Sequence, residues 1–543
     1  MSVARSVPRR RRPSPAPDRA TSPISPLGRI LARLEDTPSF ARVALTASAL
    51  AVQAGDVMRA EAPARMALGQ AARYEWDTAG LGGGRALRVG HRSVAVNVVR
   101  RVGGAEPGDL ADALELGALL RDLDRCDEAL AVVREAMARA PEAATVWSLL
   151  ASIAGQQGDD EEARVFHDQA MRLDPTSPPV LANAAVARLD VGDARGAIQA
   201  CDAALAHAST VAQAMVIRMT RSQARLLAGD LAGGWDDYAA RLAPERRESL
   251  AFDLPWPRLD QDQPLEGLDL LLVGEQGLGD EVIFGGMIGD LLAALGPEGR
   301  LTLAVEPRLI PLFARAWPGV RVVGHASAVL SGRLTRAIPD LVDPEIQAWT
   351  PMADLLPRLR GSLDAFQTGP FLPPDPARVA RWRDWLADLP AGDKVGVMWK
   401  SLKMSGLRAR RFAPFEAWAP VLATPGKTFV SLQYGEAREE LALAAQRWGV
   451  ALAQPPGLDL TNDLEGVTAL CAALDLVIGP PTATTNLAAA AGVPTWMICA
   501  NPAWITLGTD RYPWYPRARA FTPGGEADWG RRMEIVAGAL RDL

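Results

Sequence analysis

Apolar and polar positions follow two different rules in the two halves of this chain. In the second half, short apolar runs alternate with stretches of helical periodicity. "LDLLLVGE" (268–275), "RLTLAVE" (300–306) and "VRVVGHA" (320–326) read as strands, with helices at "EVIFGGMIGDLLAAL" and at 308–317 between them. After a linker containing "FLPPDPARVARWRDWLADLP" the alternation resumes. "KVGVMW" (394–399), "TFVSLQ" (428–433), "LDLVIG" (474–479) and "TWMICA" (495–500) are the next strands. Runs of this kind belong to parallel sheets covered by helices on both faces. The first half has a different period, 34 residues. Ala129, Ala163 and Ala197 keep that interval, as do Ala136, Ala170 and Ala204, and so do Pro141 and Pro175; Gly158-Asp159 recurs as Gly192-Asp193. Small residues at fixed positions let paired helices approach closely, and the proline ends the second helix of each pair.

Trp147, Ala163, Ala170 and Pro175 occupy the positions of the large residue, the small residues and the terminal proline of a tetratricopeptide repeat (TPR). The segment 109–245 therefore resembles a TPR array. Good repeats lie at 110–143 and 144–177, and a looser one at 178–211. A further helix pair, shifted by three residues, contains "RLLAGDLAGGWDDYAARL". Short repeats cannot bury their faces alone, so the helical stretch within 27–108 reads as a degenerate extension of the stack. The piece "TAGLGGGRALRVG" at 78–90 follows no strand and reads as a loop. Arrays of this type make concave surfaces that hold polypeptides; a spacer or a dimerisation unit is the plainer alternative.

Composition narrows the function classes. The chain has 543 residues, 48% of them hydrophobic, which suffices for several cores. A formal net charge of −6 argues against a general nucleic-acid surface. Cys126, Cys201, Cys471 and Cys499 are far apart and lack metal-type spacing, as expected of a reducing compartment. No histidine follows His325, so chemistry in the last part of the chain proceeds without imidazole. Residues 1–26 are basic and rich in Pro and Ser, and read as a solvated tail. No long apolar run follows the tail's arginines or occurs elsewhere, so neither a signal peptide nor a membrane span is expected. These features together predict a cytoplasmic protein with no nucleic-acid or membrane partner.

The strand at 268–275 leads into "VGEQGLGDEVIF", whose Gly274, Gly277 and Gly279 follow a G-x-x-G-x-G order. That is not the dinucleotide fingerprint, and no Walker-type lysine is present. Two tandem alternating units predict two Rossmann-like domains facing a cleft, with ligands at the carboxyl ends of the strands, where this turn sits.

"GEQGLGDEVIF", "LDLVIGPPTATTNLAAAAGVPTW" and "DRYPWYP" together resemble the two-domain GT-B glycosyltransferases related to the heptosyltransferases, in particular bacterial proteins that fuse a TPR array to such a module. "VEPRLIPLFARAWPGV" and "VSLQYGEAREEL" are similar to the same group, which includes members that modify flagellin. The resemblance covers about 110–543 and implies a TPR α-solenoid followed by an N-terminal, acceptor-side domain (246–385), a C-terminal, donor-binding domain (386–520) and a C-terminal helix (521–543) that crosses back.

The resemblance also distributes roles. Asp280 stands where the heptosyltransferases place a catalytic carboxylate and would take the proton of a Ser or Thr hydroxyl. Glu281 is the rival base, and the plain alternative for Asp280 is a helix cap. Gly277 and Gly279 would let backbone and acceptor come close. Thr482, Thr484, Thr485 and Asn486 open an alanine-rich helix, where amides, hydroxyls and the helix dipole suit a phosphate; ordinary capping needs only one of them. The heptosyltransferase pattern has an Asp and a His where this chain has Pro481 and Asn486, whereas the threonines resemble the phosphate-binding threonines of protein O-linked sugar transferases. Lys400, with Arg408 second, would neutralise the leaving phosphate, and most other basic residues of that loop read as solvated. Gln433 and Tyr434 end the next strand and would touch base or ribose, with an aromatic packed at the domain surface as the plainer alternative. No Asp-x-Asp motif ends a strand in this half, so a metal-independent enzyme without a cofactor is expected.

The sequence reading is thus a protein O-glycosyltransferase. Its array binds a polypeptide, with flagellin implied by the resemblance, and its co-substrate is a nucleotide sugar, with a CMP-activated nonulosonic acid such as pseudaminic acid implied in the same way. Two rivals remain: a flagellin-binding chaperone or scaffold with an inactive transferase domain, and a transferase acting on a glycan or lipid.

Overall fold

The computed structural model describes residues 110–543 apart from 247–248, 331–332, 367–368, 403, 405, 501–502 and 523–527. The basic tail at 1–26, the helices expected within 27–108 and the glycine-rich loop at 78–90 lie outside the described residues.

The repeat period becomes four helix pairs: α1 (Leu110–Asp122) with α2 (Cys126–Arg139), α3 (Ala144–Gln157) with α4 (Asp160–Leu173), α5 (Pro178–Asp190) with α6 (Ala194–His207), and α7 (Val211–Leu227) with α8 (Leu231–Tyr238). The six alanines that define the period are all buried where helices meet. The last pair is fixed by charge as well. Arg218, Arg221 and Arg225, spaced along one face of α7, converge on the fully buried carboxylate of Asp237 in α8.

The second half forms two parallel sheets. The N-terminal sheet contains β2 (Asp269–Val273), β3 (Arg300–Val305), β4 (Arg321–Gly324) and β7 (Ala348–Pro351) in the order β4-β3-β2-β7. The C-terminal sheet contains β8 (Asp393–Val397), β9 (Lys427–Ser431), β10 (Leu476–Gly479), β11 (Thr495–Ile498) and β12 (Ala518–Phe521) in the order β12-β11-β10-β8-β9. Every pairing within these two sheets is parallel. The strands read from apolar runs recur within a residue or two. A small sheet of β1 (Ala251–Phe252), β5 (Ala326–Leu330) and β6 (Arg333–Ala337) was not foreseen, because β6 carries three polar residues in five. No described helix is long and apolar enough to cross a bilayer.

One apolar core runs through three parts of the chain. Leu226, Trp235 and Tyr238 of the array pack with Phe284 and Phe313 of the N-terminal domain and with Leu507, Tyr512 and Trp514 from the C-terminal part. Trp504 stacks edge-on against both Trp235 and Trp514, at 6.4 and 6.1 Å between ring centroids. The segment 504–515, containing "DRYPWYP", is therefore what returns to the N-terminal domain. The expectation of a crossing terminal helix is corrected. The last helix, α18 (Trp529–Arg541), buries Met533, Val536, Ala537 and Leu540 against residues of the C-terminal domain's own core, because its apolar stripe matches the sheet beneath it.

The joint between array and N-terminal domain is ionic at its centre. Buried Arg241, three residues beyond α8, grips Glu275 with both arms of its guanidinium at 2.8 Å and reaches Asp354 at 2.6 Å; Glu275 also accepts from the Ala353 amide. Replacing Arg241 by Met leaves Glu275 buried without its cation. The expected cost is about 3–5 kcal/mol, read as a lowered midpoint in chemical denaturation.

Candidate functional site

Each sheet has one place where the strand order reverses. In the N-terminal sheet the chain moves from β2 outward to β3 and β4 and later returns to β7 on the other side, so the reversal lies between β2 and β7. In the C-terminal sheet it lies between β8 and β10. Ligands of open parallel sheets bind at such points, beyond the strand ends. The glycine turn follows β2. Lys400 follows β8, and Thr482 follows β10. The three clusters singled out in the sequence thus stand at the two reversal points.

These points meet. α9 (Leu278–Gly285) and α17 (Ala483–Ala490) start against one another, with contacts along both helices. A methyl group on Gly279 would stand 3.4 Å from Asn486 Nδ2 and 3.5 Å from the Ala483 amide nitrogen. Position 279 therefore lies within van der Waals reach of the opposing helix start.

The turn itself is held from three sides. Gln276 adopts a left-handed backbone (φ 61°), uncommon for a residue with a side chain. Its side-chain amide donates to the Tyr238 hydroxyl from α8, and its carbonyl accepts from Arg336 at 2.8 Å. Arg336 also donates to the Gly274 carbonyl and to Glu281. Neither Tyr238 nor Arg336 carried a motif, so sequence reading missed both.

Glu281 is buried, with one carboxylate oxygen on His325 (2.8 Å) and Arg336 (3.1 Å) and the other accepting from the Glu306 amide (2.8 Å). It ties the β2 turn to β3 and β6, and it lies so close over Gly274 that any side chain there would strike it. With both oxygens engaged, Glu281 is a structural strut; the rival-base expectation is corrected.

Asp280 differs from its neighbour. Its Oδ2 accepts from the Gly277 amide at 3.0 Å and closes a capping box. The capping alternative is thus realised, yet one oxygen suffices for it. Burial, opposed by the Gly277 bond and reinforced by the nearby charges of Glu275 and Glu281, pushes the carboxyl up to about 6 in all. Tyr512 and Tyr515, both buried, stand close enough to feel the Asp280 charge. The Tyr512 hydroxyl lies 3.5 Å from Asn486 Oδ1, while the Tyr515 hydroxyl has no hydrogen-bond partner among the described residues. "DRYPWYP" contributed to the family resemblance, but nothing in its pattern assigned these two hydroxyls to the site.

At the start of α17, Thr485 is committed to the backbone: it accepts from the Thr482 amide and donates to the Pro480 carbonyl. Thr484 and Asn486 are buried, and Thr482 remains half-buried at the cap with its hydroxyl 3.0 Å from Met398 Sδ. Within this cluster Thr482 and Thr485 form the helix's capping box, whereas Ala483 and Asn486 stand against Gly279 of α9.

The other reversal-point residues are more constrained than expected. Lys400 pairs with Glu440 of α15 (Arg438–Trp448). Gln433 does not face outward. Its carbonyl oxygen accepts from the Trp399 and Lys400 amides at 3.0 Å, and its amide donates to the Lys400 and Tyr434 carbonyls. It shapes the loop after β8 and leaves no group for a base or ribose, which corrects that expectation. Tyr434 is half-buried and hydrogen-bonds Ser401, as does Arg408 at 3.2 Å. Arg410, expected to be solvated, instead crosses to the repeat array. It binds both oxygens of Asp160 at 3.0 and 3.1 Å and donates to the Gly155 carbonyl.

A tetratricopeptide array joined to two Rossmann domains with facing reversal points defines the class: a TPR-fused protein of GT-B architecture. Over 441 residues the chain is 43% identical to "Protein FlbA" of Caulobacter vibrioides, in an alignment covering 81% of this chain and 74% of that protein. The chain belongs to the FlbA family. No protein-family model matches it. Among solved structures it is similar to E. coli heptosyltransferase WaaC with ADP-2-deoxy-2-fluoro heptose (15% identity, 51% of this chain and all of that one, TM-score 0.32). It is also similar to a glycosyl transferase family 9 protein of Veillonella parvula (12%, 49% and 88%, TM-score 0.33) and to the TPR protein TTC0263 of Thermus thermophilus (20%, 30% and 89%, TM-score 0.27).

A carboxyl with a raised pKa leaves a signature in stability. Between its unfolded value near 4 and about 6, folded Asp280 holds more protons than the unfolded chain, so its contribution becomes destabilising as pH rises through that window. Asp280→Asn should therefore stabilise the protein at pH 7.5 by on the order of 1–2 kcal/mol, with the gain vanishing below pH 4. Thermal denaturation of both proteins at the two pH values checks it.

Proposed function

We propose that this protein is a protein O-glycosyltransferase that moves a sugar from a nucleotide donor to Ser or Thr of a polypeptide held by its repeat array. The observation that carries this reading is the apposition of Asp280, its carboxyl raised to about 6, with the start of α17 across the two reversal points. In the reaction Asp280 takes the acceptor hydroxyl proton as that oxygen attacks the anomeric carbon. The bond from anomeric carbon to phosphate oxygen breaks, and the nucleotide leaves with the electron pair. The amides opening α17, the Thr482 hydroxyl and Lys400 receive the charge, the last by exchanging Glu440 for phosphate. Arg408 and Tyr434 flank the same loop.

No step of this scheme calls for a metal ion, so transfer should survive chelation. A carboxylate base near 6 makes the rate rise with pH up to about 6–7 and then level off. Asp280→Asn should lower kcat by roughly 10²–10⁴-fold.

The acceptor proposed is flagellin and the donor a CMP-activated nonulosonic acid such as pseudaminic acid; both rest on the sequence resemblance. The intact mass of flagellin from wild-type, deletion and Asp280→Asn strains tests the assignment. A sugar-sized mass should be lost in both mutants while the Asp280→Asn protein stays folded and still binds flagellin. An unchanged mass in the deletion strain would overturn flagellin as acceptor. The pairing of Lys400 with Glu440 is what favours the second reading, a flagellin-binding scaffold with an inactive site. Saturable flagellin binding with no donor binding would select it.

A further inference from the structure

The side chain of Asn486 stands in the seam between α9 and α17, only 2% exposed, yet one of its two ends is idle. Its Oδ1 meets the Tyr512 hydroxyl at 3.5 Å, while its Nδ2 has no hydrogen-bond partner among the described residues. The idle end is turned to Gly279. A methyl group on that glycine would stand 3.4 Å from Nδ2 and 3.5 Å from the Ala483 amide nitrogen, with no heavy atom outside its own stretch of chain nearer. One atom-sized space thus has two N–H-bearing nitrogens on its α17 side, and Asp280 is the next residue of α9.

We propose that this space receives an oxygen of the leaving phosphate, and that Tyr512 is the positioning residue that turns the NH₂ end of Asn486 toward it. The inference rests on the transferase reading above and names the residue that orients one contact of its donor site.

A side-chain amide has an acceptor end and a donor end of nearly the same shape, so its neighbours decide which way it faces. Burial holds the Tyr512 hydroxyl well above the usual tyrosine range, so it stays protonated and able to donate. A donor on Oδ1 leaves the NH₂ group for the opposite side. Tyr512 is itself fixed, 1% exposed with its ring stacked on Tyr515 at 5.9 Å between centroids. At 3.5 Å its contact with Oδ1 is long for an O–H···O bond. An anion on the NH₂ end polarises the amide, strengthens Oδ1 as an acceptor and draws the hydroxyl in. Negative charge also suits the place, because the peptide dipoles of α17 point their positive ends at it. A buried donor without a partner is costly, and a phosphate oxygen completes it.

Calorimetric titration of the full-length protein with CMP, UDP, GDP and ADP identifies the nucleotide it holds. That nucleotide is then titrated into Asn486→Ala, Tyr512→Phe, the double variant and Gly279→Ala, each checked for folding by circular dichroism melts. Gly279→Ala fills the space at ordinary contact distances, so it removes the oxygen's place without disturbing the fold. The expectation is about tenfold weaker binding for Asn486→Ala and for Gly279→Ala, and about fivefold for Tyr512→Phe. The double variant should bind no more weakly than Asn486→Ala alone. A Tyr512 that only packs its ring would give losses that multiply in the double variant. Multiplying losses, wild-type affinity in Tyr512→Phe or in Gly279→Ala, or no nucleotide binding by the wild-type protein overturns the inference. Sugar transfer to flagellin is followed in parallel. The expected coupling in a protein that transfers no sugar supports the contact and overturns the transferase reading; transfer accompanied by multiplying losses overturns the inference alone.

Discussion

The buried grip of Arg241 on Glu275 is the interaction on which the rest of this architecture depends. Glu275 is the second residue beyond β2, and Arg241 comes directly after the last repeat helix. Two charges out of water hold one another only in good geometry, and here both carboxylate oxygens and a backbone amide complete the arrangement. The contact fixes the end of the array against the turn at which the N-terminal sheet reverses. Tyr238 adds a second tie at the next residue of that turn, Gln276. The array is thereby joined to the proposed chemical centre through side chains, in addition to the chain connection.

From that anchor the site assembles in order. Glu281 and Arg336 brace the turn from behind, so Asp280 projects from a rigid helix start. The opposing helix packs against Gly279, and burial in the resulting seam raises the Asp280 carboxyl. Two adjacent acids thus acquire opposite characters. Glu281 meets a cation and two further partners, whereas Asp280 meets a single amide and the edge of a cluster of tyrosines.

Much of this was legible in the sequence. The 34-residue alanine period specified the repeat pairs because small side chains at helix contacts have no other reason to recur. The apolar runs specified the parallel strands because both of their faces are covered. What escaped was set by distant partners. Gln433 reads as an exposed polar strand end, but the amides it serves lie 33 and 34 residues earlier. Arg410 reads as one of several solvated arginines until the turn after α3, some 250 residues away, is brought beside it. Local patterns report a residue's own helix or strand; they carry no information about which remote group will neutralise a charge.

The same arginine bears on how this architecture can be inherited. Repeat arrays are usually treated as interchangeable modules that exchange between proteins at a single boundary. Here the array is stitched to the other half at two separated places, once behind its last helix and once at its second repeat, through Asp160 and the Gly155 carbonyl. A recombination event at one crossover point would preserve the first joint and leave the second mismatched. Within this chain, a change at Asp160 therefore disturbs the loop after β8 as directly as it disturbs the second repeat.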